Sequence, residues 1–167
     1  MKLLIIRHGP AGDRAAWEAE GRDDRLRPLT PDGKKEVRRV AKGLATLVPK
    51  IDLLATSPLV RAAQTAEIVA DHSGCKSVTL EPLAPGNDPA KTVHWLSEQR
   101  STQTVALVGH EPDLSTLVCY LLTGNRAAFI ELKKSGACLL EVNDPPKPGD
   151  ATLGWLLPPR VLRRLAD

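Results

Sequence analysis

The feature that most constrains this chain is a repeated change of hydrophobic period. Residues 3–6, 51–56 and 104–108 are short, mainly apolar stretches, and the second and third lead directly into segments with a helix-start signal. Short continuous apolar runs of this kind read as strands buried on both faces. Thr30-Pro31 opens the first long helix as N-cap and first helical residue, Val37, Val40, Leu44 and Leu47 give it an apolar face, and Pro49 ends it. Ser57-Pro58 opens a second helix in the same N-cap manner, running to about residue 72. A short third strand at 77–80 leads into a Pro- and Gly-containing loop at 81–89 and a helix at 90–98. A helix at 111–122, with Pro112 in its first turn, follows the 104–108 strand. Strands at 137–142 and 152–157 flank a Pro-rich turn, and a short Leu/Arg-rich tail closes the chain. Residues 10–29 are polar and read as a long loop with a helical turn around Trp17. The alternation predicts an α/β fold, a three-layer α/β/α sandwich with a mostly parallel central sheet and its active crevice at the carboxyl ends of the strands.

At 167 residues the chain is expected to form one domain, 1–167, burying roughly 70% of its unfolded surface without metal or disulfide staples. Only four consecutive apolar residues precede Arg7, fewer than the about 7–15 of a secretory h-region, and no run of about 20 exists, so a cytoplasmic protein with no membrane span is expected. Cys75, Cys119 and Cys138 are odd in number and far apart, and read as buried free thiols. With 23 Lys and Arg against 20 Asp and Glu, and few aromatic residues, the chain lacks the lopsided charge and stacking platforms of a nucleic-acid binder. The mild positive excess suits an anionic substrate.

Three strand ends carry unusual polar residues: Arg7-His8-Gly9, Thr56-Ser57-Pro58 leading to Arg61, and Gly109-His110-Glu111. If these strands lie side by side and parallel, two arginines and two histidines converge on one pocket. An arginine fork pairs bidentately with phosphate oxygens, and helix N-termini add N–H donors. A neutral imidazole is a nucleophile toward phosphorus, and surrounding positive charge both stabilises phosphoryl transfer and keeps the ring unprotonated. A dinucleotide-binding reading fails because no GxGxxG follows the first strand. Glu18, Glu20, Asp23 and Asp24 could imitate a metal site but read as a solvated loop face.

The stretches LLIIRHGPAG, RPLTPDG, LLATSPLVRAAQTAEIV and VALVGHEPDL, in this order and rough spacing, resemble the signatures of the histidine phosphatase superfamily, across most of residues 1–122. The resemblance implies a phosphoglycerate mutase-like fold in which His8 is the phosphorylated nucleophile. It implies that Arg7, Arg61 and His110 bind the phosphoryl group and assist its transfer, with Ser57 contributing a further hydrogen bond, and that no metal or other cofactor is needed. The short chain, with its LAPGNDP segment and VGHEP, is similar to the SixA-type branch, which includes phosphohistidine phosphatases acting on phosphorylated signalling domains.

Many relatives that cleave phosphate esters keep a Glu in the loop after the third strand as proton donor. Here Pro85 stands at that place if Leu83-Ala84-Pro85 matches the family's Leu-x-Glu, leaving Glu81 and Asp88 as the nearest candidate donors. A phosphohistidine leaving group needs less acid assistance than an alkoxide, so the expected substrate is a phosphohistidine protein domain, with no nucleic-acid or membrane partner. A small-molecule phosphomonoesterase and a catalytically weak phospho-ligand binding module on the same scaffold are the alternatives. The intact His8–His110 pair favours an enzyme over the binding module, while size and the missing acid disfavour a mutase.

Overall fold

The computed structural model describes residues 1–99 and 104–167. In chain order the strands are β1 (Lys2–Arg7), β2 (Leu53–Thr56), β3 (Ser77–Thr79), β4 (Thr104–Gly109), β5 (Ala137–Glu141) and β6 (Thr152–Leu157). The helices are α1 (Arg14–Ala19), α2 (Pro31–Leu47), α3 (Val60–Ser73), α4 (Pro89–Ser97), α5 (Asp113–Thr123) and α6 (Pro159–Arg164), with 3-10 turns at Asp24–Leu26 and Glu81–Leu83.

The strands form one sheet in the order β3-β2-β4-β1-β5-β6. β3, β2, β4 and β1 run parallel, whereas β5 is antiparallel to β1 and β6 to β5. Alternation along each central strand divides the core. Leu3, Ile5, Val105, Leu107 and Leu140 face one layer with Leu96 of α4 and Leu114, Leu117 and Leu121 of α5. Leu4, Ile6, Leu54, Ala106 and Val108 face the other, with Val40 and Leu44 of α2, Ala62 and Ala66 of α3 and Leu162 of α6. Burying each Leu or Ile stabilises the fold by roughly 1.5–3 kcal/mol, so the apolar runs hold a three-layer α/β/α sandwich together.

α2 starts as expected: the Thr30 side chain accepts from the Gly33 N–H at 2.9 Å, with Pro31 as the first helical residue. Leu47 leaves the predicted apolar face and is exposed, because the helix ends there. The second helix departs from expectation. Ser57 is not its N-cap; the helix begins at Val60 after the uncapped Leu59. Ser57 instead extends the sheet by one residue, its N–H donating to the Val108 carbonyl at 2.9 Å. Likewise α5 begins at Asp113, with Pro112 in the cap position rather than inside the first turn. Residues 10–29 are more ordered than a loop: α1 carries Trp17 and is capped by Asp13, and the 3-10 turn is capped by Asp23. Cys119 and Cys138 are buried and Cys75 half-buried, all three free. Among the described residues no helix is long and apolar enough to cross a membrane.

Candidate active site

The register of the central strands builds the site. Arg7 pairs with Gly109 across β1–β4, and Thr56 with Val108 across β2–β4. One step beyond the ladder, the His8 N–H donates to the Gly109 carbonyl at 3.1 Å. His8, Ser57 and His110 therefore leave three adjacent parallel strands at the same level. The two imidazole rings lie 5.0 Å apart, centroid to centroid, and both are buried.

Hydrogen bonding fixes the form of each ring. His8 Nδ1 lies 2.7 Å from the Gly9 carbonyl oxygen. A carbonyl only accepts, so Nδ1 carries the proton and the neutral ring leaves its lone pair on Nε2. Burial, then the charges of Arg61, Arg7 and Lys134, hold the His8 pKa down to about 3. His110 is also held at about 3, by burial and then by His8 and Arg61. Ser57 is fully buried and its hydroxyl accepts from the Leu59 N–H at 3.3 Å. Among the described residues its O–H has no acceptor other than His110 Nε2, 2.7 Å away, and a hydroxyl donating there places the His110 proton on Nδ1. Ser57 thus spends its hydrogen bond on His110.

Arg7 is anchored at one η nitrogen and Arg61 at both. Arg7 Nη1 donates to the Leu132 carbonyl at 2.7 Å. Arg61 lies in the first turn of α3, where Nη1 donates to the Asp24 carbonyl at 2.9 Å and Nη2 to Asp24 Oδ2 at 3.0 Å. The same helix ties down two more segments: Gln64 Oε1 accepts from the Leu29 N–H, and Thr65 Oγ1 from the Gly9 N–H at 3.1 Å. Asp24 corrects the solvated-face reading of the acidic loop residues. It is half-buried, it also pairs with Arg27 at 2.8 Å, and these arginines hold its carboxyl below the usual range against the opposing effect of burial. Glu18 and Glu20 are exposed, paired with Arg14 and Arg22.

The two carboxylates considered as proton donors are engaged elsewhere or face outward. Glu81 is exposed in its 3-10 turn. Asp88 caps α4 through the Ala90 N–H and pairs with Arg126 at 3.0 Å. Pro85, with Ala84, Leu59, Asp24 and Arg14, instead lines a cavity of about 480 Å³. Glu111, the carboxyl beside His110, has no role assigned from sequence beyond its place at the strand end. Its Oε2 accepts from the Ser115 hydroxyl at 2.6 Å, and burial raises its pKa. Thr65 and Ser135 were also missed. Ser135 is buried with a φ of 60°, and its N–H donates to the His8 carbonyl at 3.2 Å. Thr65 lay inside a recognisable signature; Ser135 has no signal in its local sequence.

Among the described residues, the buried side-chain N and O atoms with no hydrogen-bond partner are Arg7 Nε, Arg61 Nε, His110 Nδ1, Glu111 Oε1 and Ser135 Oγ. Such atoms are rare and costly in native proteins. Here they gather around two neutral histidines, and three of the five are N–H donors of the expected phosphate-binding residues. The arrangement offers a nucleophilic nitrogen beside donors suited to an oxyanion.

The family model for the histidine phosphatase superfamily (branch 1) matches residues 3–84. An uncharacterised protein of Picosynechococcus is 36% identical over 139 residues, covering 81% of this chain and 82% of that protein. The phosphohistidine phosphatase SixA of Escherichia coli is 28% identical over 167 residues, covering 98% and 97% of the two chains. A solved structure of the protein histidine phosphatase SixA complexed with tungstate superposes with a TM-score of 0.83 at 28% identity, covering 97% of this chain and 99% of that one. The chain belongs to the histidine phosphatase superfamily (branch 1) and is a phosphatase of the SixA type.

Proposed function

We propose that this protein hydrolyses phosphohistidine on a protein domain through a phosphorylated His8. The observation that carries the reading is the gathering of partnerless N–H donors on Arg7, Arg61 and His110 around a neutral ring whose lone pair is on Nε2. His8 Nε2 attacks phosphorus, the N–P bond to the substrate imidazole breaks, and that imidazole leaves. Water then attacks the phosphoryl group on His8, releasing inorganic phosphate and regenerating the neutral ring. Arg7, Arg61 and the Nδ1–H of His110 hold the three transferring oxygens, whose charge the guanidinium groups offset without a metal ion. Ser57 acts one step back by fixing the His110 tautomer.

The P–N substrate is supported by the state of the carboxylates nearest the Leu83-Ala84-Pro85 stretch and Arg61. Pro85 lines the cavity beside Asp24, Asp24 is held ionised, and Asp88 is committed to α4 and Arg126. Substrate imidazole can arrive already protonated near neutral pH, whereas an alkoxide needs an acid worth roughly 10²–10⁴ in rate. The relative from Escherichia coli named phosphohistidine phosphatase and the tungstate-bound SixA structure agree with this reading.

The test is turnover of a phosphohistidine protein, an aryl phosphate and a sugar phosphate, with EDTA present. Catalytic efficiency is expected to fall in that order, with His8→Ala inactive and a trapped phosphate on His8. A trapped phosphate on serine or cysteine, or a sugar phosphate as best substrate, overturns the proposal.

A further inference from the structure

We infer that Asp24 and Arg27 are positioning residues that act through Arg61, an inference resting on the phosphatase reading above. Arg27 is buried, its Nη1 donating to the carbonyls of Ala11 and Gly12 at 2.9 Å each and its Nε to Asp24 Oδ1 at 2.8 Å. Asp24 then uses its other carboxylate oxygen and its backbone carbonyl to take one N–H from each η nitrogen of Arg61. The chain of contacts runs from the residues just past Arg7-His8-Gly9, through Arg27 and Asp24, to the arginine on the neighbouring helix.

Donor arithmetic gives this chain its meaning. A guanidinium has five N–H groups, and Asp24 takes two of them. The Nε–H is buried and partnerless, and one hydrogen remains on each η nitrogen. Nε and an adjacent η nitrogen form a side-on fork that matches two phosphoryl oxygens. A guanidinium held at both η nitrogens cannot swing about its long side chain, so the fork is oriented before substrate arrives. The triad carries two positive charges and one negative, so Arg61 keeps net attraction for an anion. Asp24 thereby fixes Arg61 as the Leu132 carbonyl fixes Arg7. A carboxylate in a phosphate site also admits the opposite role, a built-in competitor for Arg61, and the two roles predict opposite signs.

The experiment compares wild type with Asp24→Asn, Arg27→Lys, Arg61→Ala and the double variant Asp24→Asn/Arg61→Ala, all as full chains. It measures aryl phosphate kinetics, inorganic phosphate binding and thermal melting. Asp24→Asn is expected to lower kcat/KM by about 10- to 100-fold, the scale of a misplaced catalytic group, and to weaken phosphate binding. In the Arg61→Ala background the same change is expected to cost less than about twofold, because its effect passes through the missing guanidinium. Tighter phosphate binding in Asp24→Asn makes Asp24 a competitor and overturns the inference. Wild-type behaviour of Asp24→Asn, or an undiminished loss in the Arg61→Ala background, overturns it too. If Asp24→Asn does not fold, Arg27→Lys decides in the same way, since an ammonium cannot reproduce the three contacts of Arg27. If wild type binds phosphate but turns over no substrate, the phosphatase reading fails while the order of phosphate affinities still tests the triad.

Discussion

A histidine kept neutral by burial costs a protein stability in acid. His8 and His110 have an ordinary pKa of 6.5 when unfolded and about 3 when folded. Between those values the unfolded chain binds more protons than the native one, so stability is fully present above 6.5 and is lost as pH falls toward 3. Denaturant unfolding at pH 7 and pH 5 is expected to show this loss, and His110→Gln to reduce it; equal stability at both pH values would contradict the buried neutral pair. The same two rings carry a tautomer prediction. Nitrogen-correlated NMR of the imidazoles is expected to place both protons on Nδ1, and Ser57→Ala to release that preference at His110 alone. Activity in Ser57→Ala is expected to fall about three- to tenfold, the worth of one hydrogen bond of roughly 0.5–1.5 kcal/mol; unchanged kinetics would remove Ser57 from the site. Arg7, His8, Arg61 and His110 were legible as candidates because each follows a recognisable apolar strand. Asp24 was not, because its surroundings come from Arg61, 37 residues away in sequence, and a polar neighbourhood in the chain says nothing of burial.

At the scale of elements, α3 reads from sequence as a helix opened by Ser57-Pro58 and carrying Arg61, yet three of its residues reach into three segments: Arg61 to Asp24, Gln64 to Leu29 and Thr65 to Gly9. That use explains the displaced helix start. If Ser57 capped the helix, its hydroxyl would face the first-turn N–H groups instead of His110. The start of α2 was legible because Thr30 and Pro31 act locally; the end of its apolar face was not, because Leu47 meets no partner layer. Packing of α2 on α6 depends on Gly43, where an added Cβ would collide with the Leu162 carbonyl. Backbone cannot yield as a side-chain tip does, so Gly43→Ala is expected to destabilise by about 1–3 kcal/mol. Because this contact lies away from the strand ends, kcat/KM per folded molecule is expected to stay within about twofold. Thermal melting with native stability would show that α6 shifts freely, and a lost kcat/KM would couple it to the site.

For the whole molecule, local periodicity specifies parallel strands but not their neighbours. Insertion of β4 between β1 and β2 brings His110 against His8 across about 100 residues of chain, and only the folded sheet displays it. The same convergence places every partnerless buried side-chain atom described here at one locality. A tetrahedral oxyanion that supplies partners to Arg7 Nε, Arg61 Nε and His110 Nδ1 binds the native state alone, since the unfolded chain has no such arrangement. Binding of this kind stabilises by RT ln(1 + [L]/Kd), about 2.7 kcal/mol at a hundredfold excess over Kd. For a chain of this size that corresponds to a rise in Tm of about 5–10 °C. Inorganic phosphate or tungstate is therefore expected to raise Tm in a saturable way, while sodium chloride at equal ionic strength does not. Arg7→Ala and Arg61→Ala are each expected to abolish most of the rise, and EDTA to leave it intact. A rise matched by chloride would assign the effect to general screening. A rise lost in EDTA and restored by a divalent metal would show that the oxyanion is held through a metal ion and not by the arginines.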